Sequence, residues 1–167
     1  MHRRSVLGSS VTVAVTALAG CALPRDEVAG LEAWVEDTFV LVESVGDALE
    51  AWAEDPDAVP LSEFESLADE TTEHLDRFGD EVEPLEEELR DGDLAPDDWD
   101  DVDGDDVWTI IDRLRSLLER SETGTDGIVE ADGRHTGLDD EERSAAETVV
   151  AEYEDTLEEA EPLVSAT

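Results

Sequence analysis

A single thiol, a run of aspartates and four indoles are the groups in this 167-residue chain best suited to chemistry. Cys21 is the only cysteine, so no intramolecular disulfide is open to it. Its thiolate would be the best nucleophile in the chain for alkylation. The aspartates concentrate in residues 91–106, DGDLAPDDWDDVDGDD, where nine occur without one glutamate. Hard cations take several carboxylate and carbonyl oxygens, so Asp100, Asp101, Asp103 and Asp105 form a candidate calcium site. The EF-hand register does not fit. With Gly104 at the invariant glycine, Asp101 and Asp103 fall correctly, but Trp99 takes the place of the first ligand and Ile110 that of the bidentate acid. The choices left are an irregular ion site and a solvated, salt-adapted loop. Trp99, flanked by Asp97, Asp98, Asp100 and Asp101, either staples this loop to the body of the protein or stands exposed as a stacking platform for a glycan or partner.

Other reactive constellations are not apparent. His74 has Glu70 four residues before it, the spacing of a surface ion pair on a helix. A di-iron bundle needs two Glu-x-x-His pairs, and position 71 is threonine. His135 lies in a glycine-rich stretch. No haem-attachment motif, nucleophile elbow, H-E-x-x-H, Walker loop or dinucleotide fingerprint occurs. Carboxylate pairs are uninformative among 49 acids. The expectation is a non-enzymatic protein without a cofactor, calcium aside.

The residues before Cys21 give the thiol a role. Arg3 and Arg4 precede an uncharged stretch, Val6 to Ala19, too short and too rich in Gly, Ser and Thr for a membrane span. That is the pattern of an export signal. Leu18-Ala19-Gly20-Cys21 resembles the lipobox of secreted lipoproteins, and Arg3-Arg4 resembles a twin-arginine signal, although Ser5 and Val6 follow where a bulkier residue is common. The resemblance, confined to about the first 21 residues, implies removal of residues 1–20, a lipid on Cys21, a tether over 21–25 and a domain over 26–167 at the outer face of the membrane.

Composition narrows the setting. Without residues 1–20, eight arginines face 49 acids, a formal charge of 8 − 49, or −41. Lysine, asparagine and glutamine are absent, which excludes N-glycosylation. Self-repulsion of this size disfavours a compact state in dilute buffer, whereas a Debye length of about 3 Å at 1 M salt removes most of it. The chain resembles proteins of salt-loving archaea in this respect. Nothing in it would neutralise phosphates, so nucleic acid is not an expected partner.

The elements that must position these groups are helical. Over 26–55, Val28, Leu31, Val35, Thr38, Val42, Val45, Leu49 and Trp52 alternate spacings of 3 and 4. A second stripe runs from Leu61 through Phe64, Ala68, Thr71, Leu75, Phe78, Val82 and Leu85 to Leu89, with a capping box at Ser62 and Glu65 and a kink at Pro84. A third helix is predicted over 105–121 (Val107, Ile111, Leu114, Leu118) and a fourth over 139–162 (Ala146, Val149, Tyr153, Leu157, Ala160), opened by Asp139 and Glu142. Residues 122–137 read as a mobile glycine-rich loop. Four one-sided helices pack most economically as an antiparallel all-α four-helix bundle with a kinked second helix and acidic loops. A homodimer of helical hairpins is the runner-up. The functional expectation is a membrane-anchored interaction or accessory module for another surface protein. The alternative is a solute- or cation-binding protein using the 91–106 loop.

Overall fold

The computed structural model describes residues 25–91, 99, 102 and 104–164. Among these the chain is all-α: α1 (Arg25–Glu54), α2 (Leu61–Arg77), a short α3 (Glu86–Arg90), α4 (Gly104–Glu130) and α5 (Asp140–Val164). The helices form a ring in which α1 lies beside α2 and α5, and α4 closes the ring between them. Neighbours run antiparallel. Trp34 meets Phe78 while Trp52 meets Phe64 across α1 and α2. Arg113 meets Glu159 while Arg120 meets Glu152 across α4 and α5.

Each predicted stripe turns inward. Leu31, Val35, Val42, Val45 and Leu49 of α1 are buried, as are Ile111, Leu114 and Leu118 of α4 and Val149 and Tyr153 of α5. The core is therefore one continuous apolar cluster along the bundle axis. Burying side chains of this size contributes roughly 2 kcal/mol each. Thr38 keeps the α1 stripe in phase, but its buried hydroxyl has no hydrogen-bond partner among the described residues.

The second stripe bends as expected, through two irregular turns rather than one kink. A π-helical turn, Phe78–Val82, and a 3-10 turn, Glu83–Leu85, join α2 to α3. Pro84 has no N–H to offer the carbonyl one turn back, and the Glu83 N–H reaches five residues back to Phe78 instead. The Trp34 indole also donates to the His74 carbonyl (3.0 Å), which the Phe78 N–H shares. Phe78, Val82, Leu85 and Leu89 stay buried throughout.

Three local expectations need correction. Ser62 does not cap α2: the helix begins at Leu61 after an extended Pro60, so Ser62 already lies in its first turn. The third helix does not stop near 121 but continues to Glu130, taking in most of the stretch expected to be mobile. Gly124 and Gly127 do not loosen α4; they let α5 approach it. A Cβ at 124 would come within 3.2 Å of the Ala146 backbone, and one at 127 within 2.7 Å of Glu142. Ser121 and Thr125 are buried because their hydroxyls donate to the carbonyls of Leu117 (2.8 Å) and Ser121 (2.7 Å). The helix ends only where Asp132 (φ 51°) and Gly133 (φ 75°) turn left-handed and the Gly133 N–H bonds back to Ile128 (2.8 Å). The capping box expected for α5 does form: Asp139 Oδ1 accepts from the N–H groups of Glu141 (2.9 Å) and Glu142 (2.8 Å), and Glu142 Oε2 accepts from that of Asp139 (2.8 Å).

Candidate functional site: an acidic groove and the cavity beyond it

Cys21, Arg3, Arg4, Leu18, Ala19 and Gly20 lie outside the described residues, as do Asp100, Asp101 and Asp103. Asp105 is exposed in the first turn of α4, and its carbonyl accepts the Thr109 hydroxyl (2.8 Å). Among the described residues, no three His, Cys, Asp or Glu side chains converge to hold a metal ion. Trp99 is 2% exposed and its indole donates to the Leu163 carbonyl (2.9 Å). It is thus the staple of its loop onto the end of α5. A ring so covered offers no face to a glycan or partner, which corrects that reading.

His74 makes no ion pair with Glu70. Its Nδ1 lies 2.8 Å from the Glu70 backbone carbonyl, while the Glu70 carboxylate accepts the Ser66 hydroxyl (3.0 Å). Nδ1 must carry a proton to bond a carbonyl, and Nε2 is buried without a hydrogen-bond partner among the described residues. Trp34, Trp52 and Trp108 are buried in the core.

The seams between helices differ in how their acids are balanced. Arg77 reaches Asp37 across α1 and α2 (3.1 Å), and Arg115 lies over the Phe78 ring beside the α2–α4 seam (5.5 Å). Two arginines cross from α4 to α5: Arg113 to Glu159 and Arg120 to Glu152 (3.3 Å). Among the described residues, no ion pair joins α1 to α5 across their seam. There Phe39, Tyr153, Leu157 and Val164 line a groove of about 570 Å³. Its rims carry Glu43 and Asp47 from α1 and Glu154, Glu158 and Glu161 from α5. Beside Phe39 in the chain, Val40 is 57% exposed, the one large hydrophobic side chain standing exposed among the described residues.

Tyr153 organises this groove. Gly46 leaves room for its ring, and a Cβ there would fall 2.2 Å from Cδ2. The hydroxyl lies 3.1 Å from Glu50 Oε2 and 3.3 Å from Asp47 Oδ1 and donates toward them. Burial first, then the hydrogen bond to Glu50 and the charges of Glu50 and Asp47, raise the phenol's pKa well above its ordinary value. Tyr153 therefore keeps its single hydroxyl proton, shared between the Glu50 and Asp47 carboxylates.

The seam changes character at its far end, beyond Tyr153. Leu49, Trp52, Leu138, Ala146 and Val150 wall a cavity of about 330 Å³, with Arg143, Glu147 and His135 also on its lining. The 131–139 connection builds that mouth. Trp52 Nε1 donates to the Gly133 carbonyl (2.9 Å), His135 packs edge-on against the Trp52 ring (4.0 Å between centroids), and His135 Nε2 donates to the Trp52 carbonyl (3.0 Å). Arg143 donates to the Leu138 carbonyl (3.0 Å).

The groove has one trace in the sequence. After Arg25, every arginine lies between positions 77 and 143, so α1 beyond its first residue and α5 beyond Arg143 contain no cation. Only the pairing of α1 with α5 turns that into an unbalanced seam. No protein-family model, curated protein or solved structure matches this chain, whose class is defined by its fold as an all-α helical bundle.

Proposed function

We propose that the chain is a non-enzymatic lipoprotein of a salt-loving organism, anchored through Cys21 at the outer face of the membrane, where it serves as an interaction or accessory module for another surface protein. The observation that carries this reading is the α1–α5 groove: an aromatic and aliphatic floor between two carboxylate rims, with no arginine across it among the described residues. Its complement is a basic amphipathic helix from the partner, apolar residues laid on Phe39 and Leu157 and arginines reaching the rims. At 1 M salt the Debye length, about 3 Å, is close to the length of a contact ion pair, so charges that touch still attract while long-range steering is lost. The apolar floor keeps its contribution in concentrated salt.

The anchor places the groove. Arg25, where α1 starts, is four residues beyond Cys21. The start of α1 and the end of α5 share one end of the bundle, which the tether would hold near the bilayer. At about 1.5 Å per residue, the 30-residue α1 carries its other end roughly 45 Å away.

Two measurements test this reading. Cys21→Ser is expected to move the protein from the membrane fraction to the medium, and a mutant that stays with the membrane contradicts the anchor. A crosslinked pull-down of the lipidated protein, kept at molar salt throughout, is expected to yield a stoichiometric companion. A clean blank contradicts the interaction module.

A further inference from the structure

The cavity at the outer end of the α1–α5 seam is distinct from the groove in both shape and charge. Its walls, Leu49, Trp52, Leu138, Ala146 and Val150, are apolar, and at about 330 Å³ it has room for a small molecule rather than a peptide helix. Its polar groups come in opposite signs. Arg143 and Glu147 stand one turn apart on α5, at a spacing where an ion pair is common, yet Arg143 instead bonds the Leu138 carbonyl (3.0 Å) and approaches Asp140 (3.4 Å). Those contacts use two of the five N–H donors of a guanidinium. Glu147 makes no hydrogen bond or ion pair among the described residues. The mouth is held in place: Trp52 and His135 are each tied to a backbone carbonyl, and His135 follows closely on the left-handed turn at Asp132 and Gly133.

We propose that this cavity binds a small zwitterion with an apolar side chain, such as a free aliphatic α-amino acid. The carboxylate pairs with Arg143, the ammonium with Glu147, and the side chain enters the space beside Trp52 and Leu138. Both charges are required. A lone carboxylate would meet Glu147 and Asp140 in a strongly negative protein, and a lone ammonium would leave the remaining guanidinium donors of Arg143 unused. The site lies at the end of the bundle opposite the start of α1. It is separate from the groove and does not depend on a macromolecular partner.

The test is titration calorimetry on the purified protein in molar salt, with leucine, glycine, leucinamide and 4-methylpentanoate as probes. Leucine is expected to bind saturably at millimolar concentration or below. Glycine, lacking the side chain, leucinamide, lacking the carboxylate, and 4-methylpentanoate, lacking the ammonium, are each expected to bind at least tenfold more weakly. Arg143→Gln and Glu147→Gln are expected to weaken leucine at least tenfold with the thermal unfolding midpoint little changed. Val150→Phe, which fills the rim, provides an independent loss of binding if either charge variant unfolds. No leucine binding at 10 mM (on the order of the weakest affinity that would matter at such a site) overturns the proposal. So does leucinamide or 4-methylpentanoate binding as tightly as leucine.

Discussion

Helix α5 faces two neighbours and is joined to them in opposite ways. Toward α4 it is drawn in by Gly124 and Gly127, and arginines from α4 meet Glu152 and Glu159. Toward α1 the contact is made by a tyrosine ring over Gly46, and among the described residues no cation stands between the acids on either side. The first seam is bridged: its arginines pair with acids of α5 along an opening of about 370 Å³. The second is pinned at Tyr153 but parted along its rims, and the opening between them is the groove. With eight arginines for 49 acids beyond residue 20, where the arginines stand decides which helix seams are bridged by ion pairs.

The sharpest way to break this contrast is at the pin. Gly46→Ala puts a methyl where the Tyr153 ring lies, within 2.2–2.6 Å of three ring atoms. Overpacking of this kind costs about 1–3 kcal/mol. Displacing the hydroxyl from Glu50 and Asp47 adds to that, so a loss of about 3 kcal/mol is expected in denaturant unfolding at molar salt. A variant as stable as the parent would mean that Tyr153 does not hold the seam. Next in size is a charge exchange. Glu158→Arg in the groove is expected to weaken partner binding at least tenfold, roughly 1.4 kcal/mol, whereas Arg113→Glu on α4, across the other seam of α5, should leave partner binding unchanged even if it costs stability. Equal losses in pull-downs of the two variants would remove the distinction between the seams.

The smallest effect concerns repulsion away from the groove. Partial burial, then Glu122, Glu130 and Asp69, raise the pKa of Asp126 above its ordinary 3.8. A carboxylate whose pKa is raised by folding binds more protons folded than unfolded, so stability falls as pH rises through the window from 3.8 upward to the raised value. At neutral pH the charged form is a net cost. Asp126→Asn should therefore stabilise the fold by a few tenths of a kcal/mol in moderate salt, the usual scale for surface charges, with the gain shrinking as salt increases. A variant less stable than the parent in moderate salt at pH 7 would contradict this sign.

Much of the fold was legible in the sequence because spacing reports directly on burial. The alternation from Leu31 to Trp52 defines which face of α1 is covered whatever covers it. The continued phase past Pro84 likewise marked one bent arm. The second half of α4 was not legible. Gly124, Thr125 and Gly127 are loop-forming by local preference, and their role as contact surface for Ala146 and Glu142 exists only once α5 is packed there. The groove was obscured for a related reason. Glu43, Asp47 and Glu158 look like any other acids among 49 until α1 and α5 are adjacent. Tryptophan count alone could not decide between a stapled and an exposed Trp99; the carbonyl of Leu163, 64 residues away, does so.

The most direct measurement is site-specific photo-crosslinking in intact membranes at molar salt, with the crosslinker placed at Glu158 in the groove or at Ser116 beside the arginine-bridged seam. A companion protein captured from position 158 through a basic helical segment, and not from position 116, is the predicted result. Capture from 116 alone, or from neither position while the protein remains folded, would contradict the groove as the interaction face.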